Sequence, residues 1–103
     1  MIAVTRIPTH RNDGSKVSDA QLKRILDRIC DAFNGYSLEG PHQGAWVSAD
    51  GKVYREESYK LEVIVPPERV KEVRAHFARI GKRLGQKAIY FELREGGEVI
   101  DLE

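Results

Sequence analysis

Six periodic segments follow one another along this chain, in the order strand, helix, strand, strand, helix, strand, with few residues left over. That order constrains the fold more than any single motif does. At 103 residues the chain is long enough for one two-layer core and too short for two, so it reads as a single domain over residues 1–103. Hydrophobic residues make up 41% and charged residues 32%, the balance of a folding chain with a well-solvated surface. No apolar run approaches the roughly 20 residues of a membrane helix. The opening M-I-A-V-T-R-I-P-T-H lacks a basic region followed by an apolar core and cleavage site, so the expectation is a cytoplasmic protein with no membrane partner.

Residues 2–7 (I-A-V-T-R-I) read as a β-strand ended by Pro8, which cannot donate to a ladder. After a polar loop, Ser18 opens a capping pattern, S-D-A-Q. Leu22, Ile25, Leu26, Ile29 and Phe33 then recur at helical spacing, and Asn34-Gly35 supplies a left-handed stop. The single cysteine, Cys30, falls on or beside this stripe and is expected to be a buried thiol. A second strand starts at Tyr36. Gly40-Pro41 interrupts it, which argues for an edge position or a bulge, and it resumes through Val47.

Asp50-Gly51 between two strand-like runs predicts a hairpin. From Val53 to Val65 the chain reads as one long strand, with Tyr59, Leu61, Val63 and Val65 on one face and Lys60, Glu62 and Ile64 on the other. Pro66-Pro67 opens a second helix whose stripe is Val70, Val73, Phe77, Ile80 and Leu84. Gly81 or Gly85 ends it. Residues 87–94 (K-A-I-Y-F-E-L-R) read as the last strand, and the E-V-I-D-L-E tail as a candidate edge strand. Six elements in this order are best satisfied by a ferredoxin-like α+β fold, βαββαβ, a four-stranded antiparallel sheet with two helices on one face.

That topology brings three connections to one end: the loop from His10 to Lys16, the hairpin at Asp50-Gly51 and the turn from Gly81 to Lys87. His10, Arg11, Asp13, Tyr54, Arg83, Gln86 and Lys87 are thereby expected near one another. A second candidate surface is the open sheet face, with Lys60, Glu62, Ile64, Tyr90, Glu92 and Arg94. A third is the hairpin itself, where Trp46, Tyr54 and Tyr59 gather much of the aromatic area beside His42, Glu56, Glu57 and Ser58.

For catalysis, His42 with Glu57 is a candidate general-base pair, with Tyr54 and His10 as further candidates and Asp13 as a group to orient His10. The chain has no H-x-x-x-H, C-x-x-C or acidic-loop pattern, so no metal and no cofactor is expected. Net charge is only +1, but charge is segregated. The stretch from Glu68 to Lys87 is basic, and the last twelve residues carry five acids against Arg94 alone. Lys71, Arg74 and Lys82 on one side of the second helix make electrostatic nucleic-acid binding an alternative. No aromatic RNA-recognition strand accompanies them.

Three short motifs, G-A-W (residues 44–46), D-G-K-V-Y-R-E-E-S (50–58) and R-L-G-Q-K-A (83–88), resemble an uncharacterised family of small bacterial proteins across residues 17–93. The resemblance implies the same ferredoxin-like fold, carries no defined activity, and points to Trp46, Arg55, Glu57, Ser58, Gly85 and Gln86. With aromatics at a hairpin and no catalytic constellation, the leading expectation is a non-catalytic module acting through protein contacts. It would engage a protein partner or a second copy, as an inhibitor or accessory factor of a mobile element, through Trp46, Tyr54, Arg55, Glu57, Ser58, Arg83, Gln86 and Lys87. The alternative is a small enzyme with acid–base chemistry at the hairpin end.

Overall fold

A computed structural model describes residues 1–103. The elements are β1 (Ile2–Pro8), α1 (Asp19–Phe33), β2 (Ser37–Val47), β3 (Val53–Ile64), α2 (Val70–Arg83) and β4 (Glu92–Arg94), with a 3-10 turn at Pro67–Arg69 before α2. The strands form one sheet in the order β2-β3-β1-β4, every neighbouring pair antiparallel. This is the expected ferredoxin-like arrangement.

Local chemistry sets the boundaries. Ser18 caps α1 by accepting the Gln21 N–H at 3.1 Å. The reciprocal half of the capping box is not made, because the Gln21 amide oxygen accepts from Arg11 Nη2 instead. Asn34 ends the helix at φ 67° and returns its N–H to the Cys30 carbonyl. At the end of α2, Gly85 at φ +67° lets the Gln86 N–H reach back to Gly81 O at 2.9 Å.

Alternation on β1 and β3 sends Ala3, Ile7, Leu61 and Val63 toward the helices, where they meet Ile25, Ile29, Phe33, Val73, Phe77 and Ile80. Arg69 clamps the far ends of the two helices. Its guanidinium sits 4.7 Å from the Phe33 ring centroid, donates to Ala32 O at 2.8 Å, and pairs with Glu72. Its charge thereby rests on the C-terminal carbonyls of α1, where a cation is favoured.

Three sequence expectations are corrected. Cys30 is exposed, because it lies about 100° around the helix from Ile29 and falls just outside Leu26, the edge of the buried stripe. The last strand is shorter than residues 87–94, since only Glu92–Arg94 joins the ladder. The residues before it are held by side chains: Thr5 Oγ1 donates to Tyr90 O at 2.6 Å, and Ile89 packs onto Gly81, where an added Cβ would lie 3.2 Å from it. The tail after Gly97 forms no strand, and Val99, Ile100 and Leu102 are exposed. No helix is long and apolar enough to cross a membrane.

Candidate functional site

The longest dimension of the molecule, 51 Å against 29 and 22 Å, comes from one element. β1 ends at the pair Pro8–Ser58, yet β3 continues beyond it to Val53, paired only with β2. Five further residues at strand spacing carry this two-stranded ribbon about 17 Å past the body. Residues 53–57 and 39–47 are exposed on both faces. A register shift between Glu39 and His42 marks the root, at the Gly40-Pro41 bulge predicted from sequence. Gly40 sits there at φ +119°, with His42 N 3.0 Å from where a Cβ would be, so no other residue fits.

The ribbon tip is built by a polar turn. Asp50 accepts from Ser48 Oγ and from the Lys52 N–H at 3.0 Å, and the Ser48 hydrogen bond foremost holds its carboxyl below the usual range. Gly51 takes φ +85°. Next to the turn, Trp46 and Tyr54 lie opposite each other, stacked at 4.7 Å with 16° between rings. The indole N–H donates to Glu56 at 2.8 Å, and Lys52 Nζ lies 5.0 Å from the Tyr54 centroid. Trp46 nonetheless remains 50% exposed and Tyr54 38%, while Val47 and Val53 form an exposed apolar pair on the reverse side.

By strand alternation Trp46, Tyr54, Glu56, His42 and Ser58 look toward the open sheet face, and Arg55, Glu57 and Tyr59 toward the helix side. The open face continues into a charged cover. Glu62 on β3 accepts from Lys60 at 3.0 Å and from Arg94 on β4 at 3.1 Å, so these side chains bridge over β1. Arg94 Nε lies 3.3 Å from Glu92, whose carboxylate also takes the Tyr90 hydroxyl. This cover explains why Val4, on the face away from the helices, is only 1% exposed. The Lys60 hydrogen bond chiefly, then Arg94, holds the Glu62 carboxyl below its ordinary range against the opposing effect of burial.

The candidate catalytic pairs are not assembled. His42 opposes Ser58 whereas Glu57 opposes Gln43, which places them on opposite faces of the ribbon. His10 shares a hydrogen bond with Thr9 Oγ1 at 2.9 Å, while Asp13 is engaged by Ser15. A recess of about 200 Å³ at the ribbon root, lined by Thr9, Lys16, Pro41, Glu57 and Tyr59 among others, holds only Glu57 of the four catalytic candidates. The Glu57 carbonyl is committed there to the Thr9 N–H and hydroxyl.

The expected convergence of three loops is half realised. Asn12 Nδ2 donates to Gly85 O at 3.2 Å, tying the β1–α1 loop to the turn after α2. The ribbon overshoots both. Trp46 and Tyr54 pair near the ribbon tip, whereas Arg83 borders a groove between the helices and Gln86 is held in the turn after α2, so the sequence-predicted contact residues split into two groups. Lys71, Arg74 and Lys82 are exposed on α2.

Sequence reasoning missed a groove between the helices. Arg28 of α1 joins Arg79 and Arg83 of α2 there, beside His76 and over Ile25 and Ile80. Arg79 and Arg83 stand one helical turn apart in the sequence, but which α1 residues they face depends on helix packing.

No protein-family model and no curated protein matches the chain. Among solved structures it is similar to a phage SAM lyase in complex with S-methyl-5'-thioadenosine, with a TM-score of 0.59, 12% identity, and coverage of 94% of this chain and 92% of that one. Similarity at that identity establishes the shared fold.

Proposed function

We propose that the protein is a non-catalytic binding module that holds a protein partner by its projecting β-ribbon. One observation carries the reading: a two-stranded ribbon exposed on both faces displays a Trp46–Tyr54 stack on one side and Val47 with Val53 on the other. A lone hairpin is marginal in water, and stacked aromatics are costly to leave wet, so both are better satisfied under a partner. Arg55 and Glu57 on the helix side give that contact a polar rim. The exposed thiol of Cys30 supports a reducing, cytoplasmic setting.

The test is affinity capture by the tagged full chain and by its W46A/Y54A variant, after nuclease. A partner bound by the parent and weakened about thirtyfold or more in the variant supports the reading, the scale expected when an aromatic hot spot is truncated. Equal binding by a folded variant defeats it.

A second reading, a small enzyme acting on a thioadenosine-type substrate, is favoured by the whole-length overlay on the phage SAM lyase. The faces of Trp46 and Tyr54 beside the Glu56 carboxylate suit an adenine ring or a sulfonium cation. The ribbon faces enclose no deep pocket, which favours the binding module. Incubation with SAM and chromatography for S-methyl-5'-thioadenosine decides between them. Product that disappears in Tyr54→Ala would establish the enzyme, and none would leave the module standing.

A further inference from the structure

The helix groove and the C-terminal tail each lack a partner, and their charges are opposite. Arg28, Arg79 and Arg83 enter no ion pair, although they border one groove of about 220 Å³. The groove floor is apolar, from Ile25 and Ile80, and His76 faces it with Nδ1 turned to Arg79 at 3.4 Å. Beyond Gly97 the chain reads E-V-I-D-L-E, three acids interleaved with Val99, Ile100 and Leu102, and every residue of it is exposed. Three unpaired cations over an apolar floor match three acids carried on an apolar segment.

We propose that this groove receives residues 98–103 of a second copy of the chain, so that copies associate head to tail. Glu98, Asp101 and Glu103 meet Arg28, Arg79 and Arg83, and the tail aliphatics cover the groove floor. The segment cannot do this within its own chain. Gly97 rests on the side chain of Ile2, with an added Cβ only 2.8 Å from Ile2 Cδ1. Ile2 alternates with Ala3 and so points to the open face of the sheet, opposite the helices. Six residues past Gly97 span about 20 Å at full extension. The path around the β4 edge and across a helix about 10 Å thick uses that length before three acids can lie in the groove. With a net charge of +1, two copies do not repel as whole molecules, so local complementarity governs their approach. A contact between two different patches is heterologous, so it closes into a ring or extends as a chain of copies.

The test uses two full-length variants, one with the groove reversed (R28E/R79E/R83E) and one with the tail reversed (E98K/D101K/E103K). Sedimentation velocity on the parent is expected to show association that weakens from about 0.01 M to about 1 M salt, as the screening length falls from about 30 Å to about 3 Å. Each variant alone, now with like charges on groove and tail, is expected to associate about tenfold more weakly. An equimolar mixture restores association, because each groove then finds an opposite tail on the other molecule. A monomeric parent at low salt, or a mixture that stays dissociated while both variants are folded by circular dichroism, overturns the proposal. Should the triple groove variant unfold, Arg79→Glu mixed with the tail variant supplies the same comparison. W46A/Y54A separates this contact from the ribbon. If that variant abolishes self-association and the charge reversals do not, the inference fails while the proposed partner function stands.

Discussion

His76 shows how a single side chain records its surroundings. Its ring meets Phe33 edge-on at 5.5 Å, and burial first, then the Arg79 charge, lowers its pKa from the ordinary 6.5, with Glu72 opposing. The unfolded chain therefore binds this proton more readily than the folded one. Stability is fully present above about pH 6.5 and declines as pH falls from there through the folded value, below which this dependence levels off. Urea titrations of the parent across that range should show the decline, and His76→Gln should flatten it. Thr5 is a second such position. Fully buried, it donates to Tyr90 O and holds a segment that has no ladder of its own. Thr5→Val keeps the shape and orphans a carbonyl, so chemical denaturation should show a loss of about 1–3 kcal/mol. A loss near zero would mean that water reaches the Tyr90 carbonyl.

At the scale of elements, the same strand pair serves two purposes. The inner half of β3, with Leu61 and Val63 fully buried, belongs to the core, and its outer half carries the exposed ribbon. Leu61→Ala should cost about 2–5 kcal/mol in denaturant, whereas W46A/Y54A should change global stability by less than about 1 kcal/mol while removing partner binding. This division also explains what the sequence made legible. Helix stripes, the Asp50-Gly51 turn, the Gly40-Pro41 interruption and the order of elements are local patterns, and all lie where periodicity and turn chemistry put them. The brevity of β4 was not legible, because Ala88 to Phe91 alternates like a strand while long-range contacts to Thr5 and Gly81 decide its pairing. The overshoot of the ribbon was equally hidden, since it depends on the lengths of β1 and β3 relative to one another. Of the candidate site, the aromatic pair was visible in the sequence. The opposite facing of His42 and Glu57 follows only from the bulge-shifted register.

For the whole molecule, these features amount to a compact βαββαβ body with two unsatisfied extensions, a ribbon at one end of the sheet and an acidic tail leaving the other. An opening that frees the ribbon need not disturb the body, because beyond Ser58 neither β2 nor β3 has another strand to pair with. Stability is therefore expected to be graded along β3 itself. Native-state hydrogen exchange should find the amides of residues 43–47 and 53–57 exchanging by local opening, with little dependence on low denaturant. Those of residues 60–62, paired with both β2 and β1, should exchange only with global unfolding. Addition of a bound partner should raise protection in the ribbon selectively, since the partner would supply the cover that the body does not. Uniform protection along all of β3 in the free protein would show that the ribbon is already stabilised as part of the core, and would remove the physical reason for assigning it to a partner.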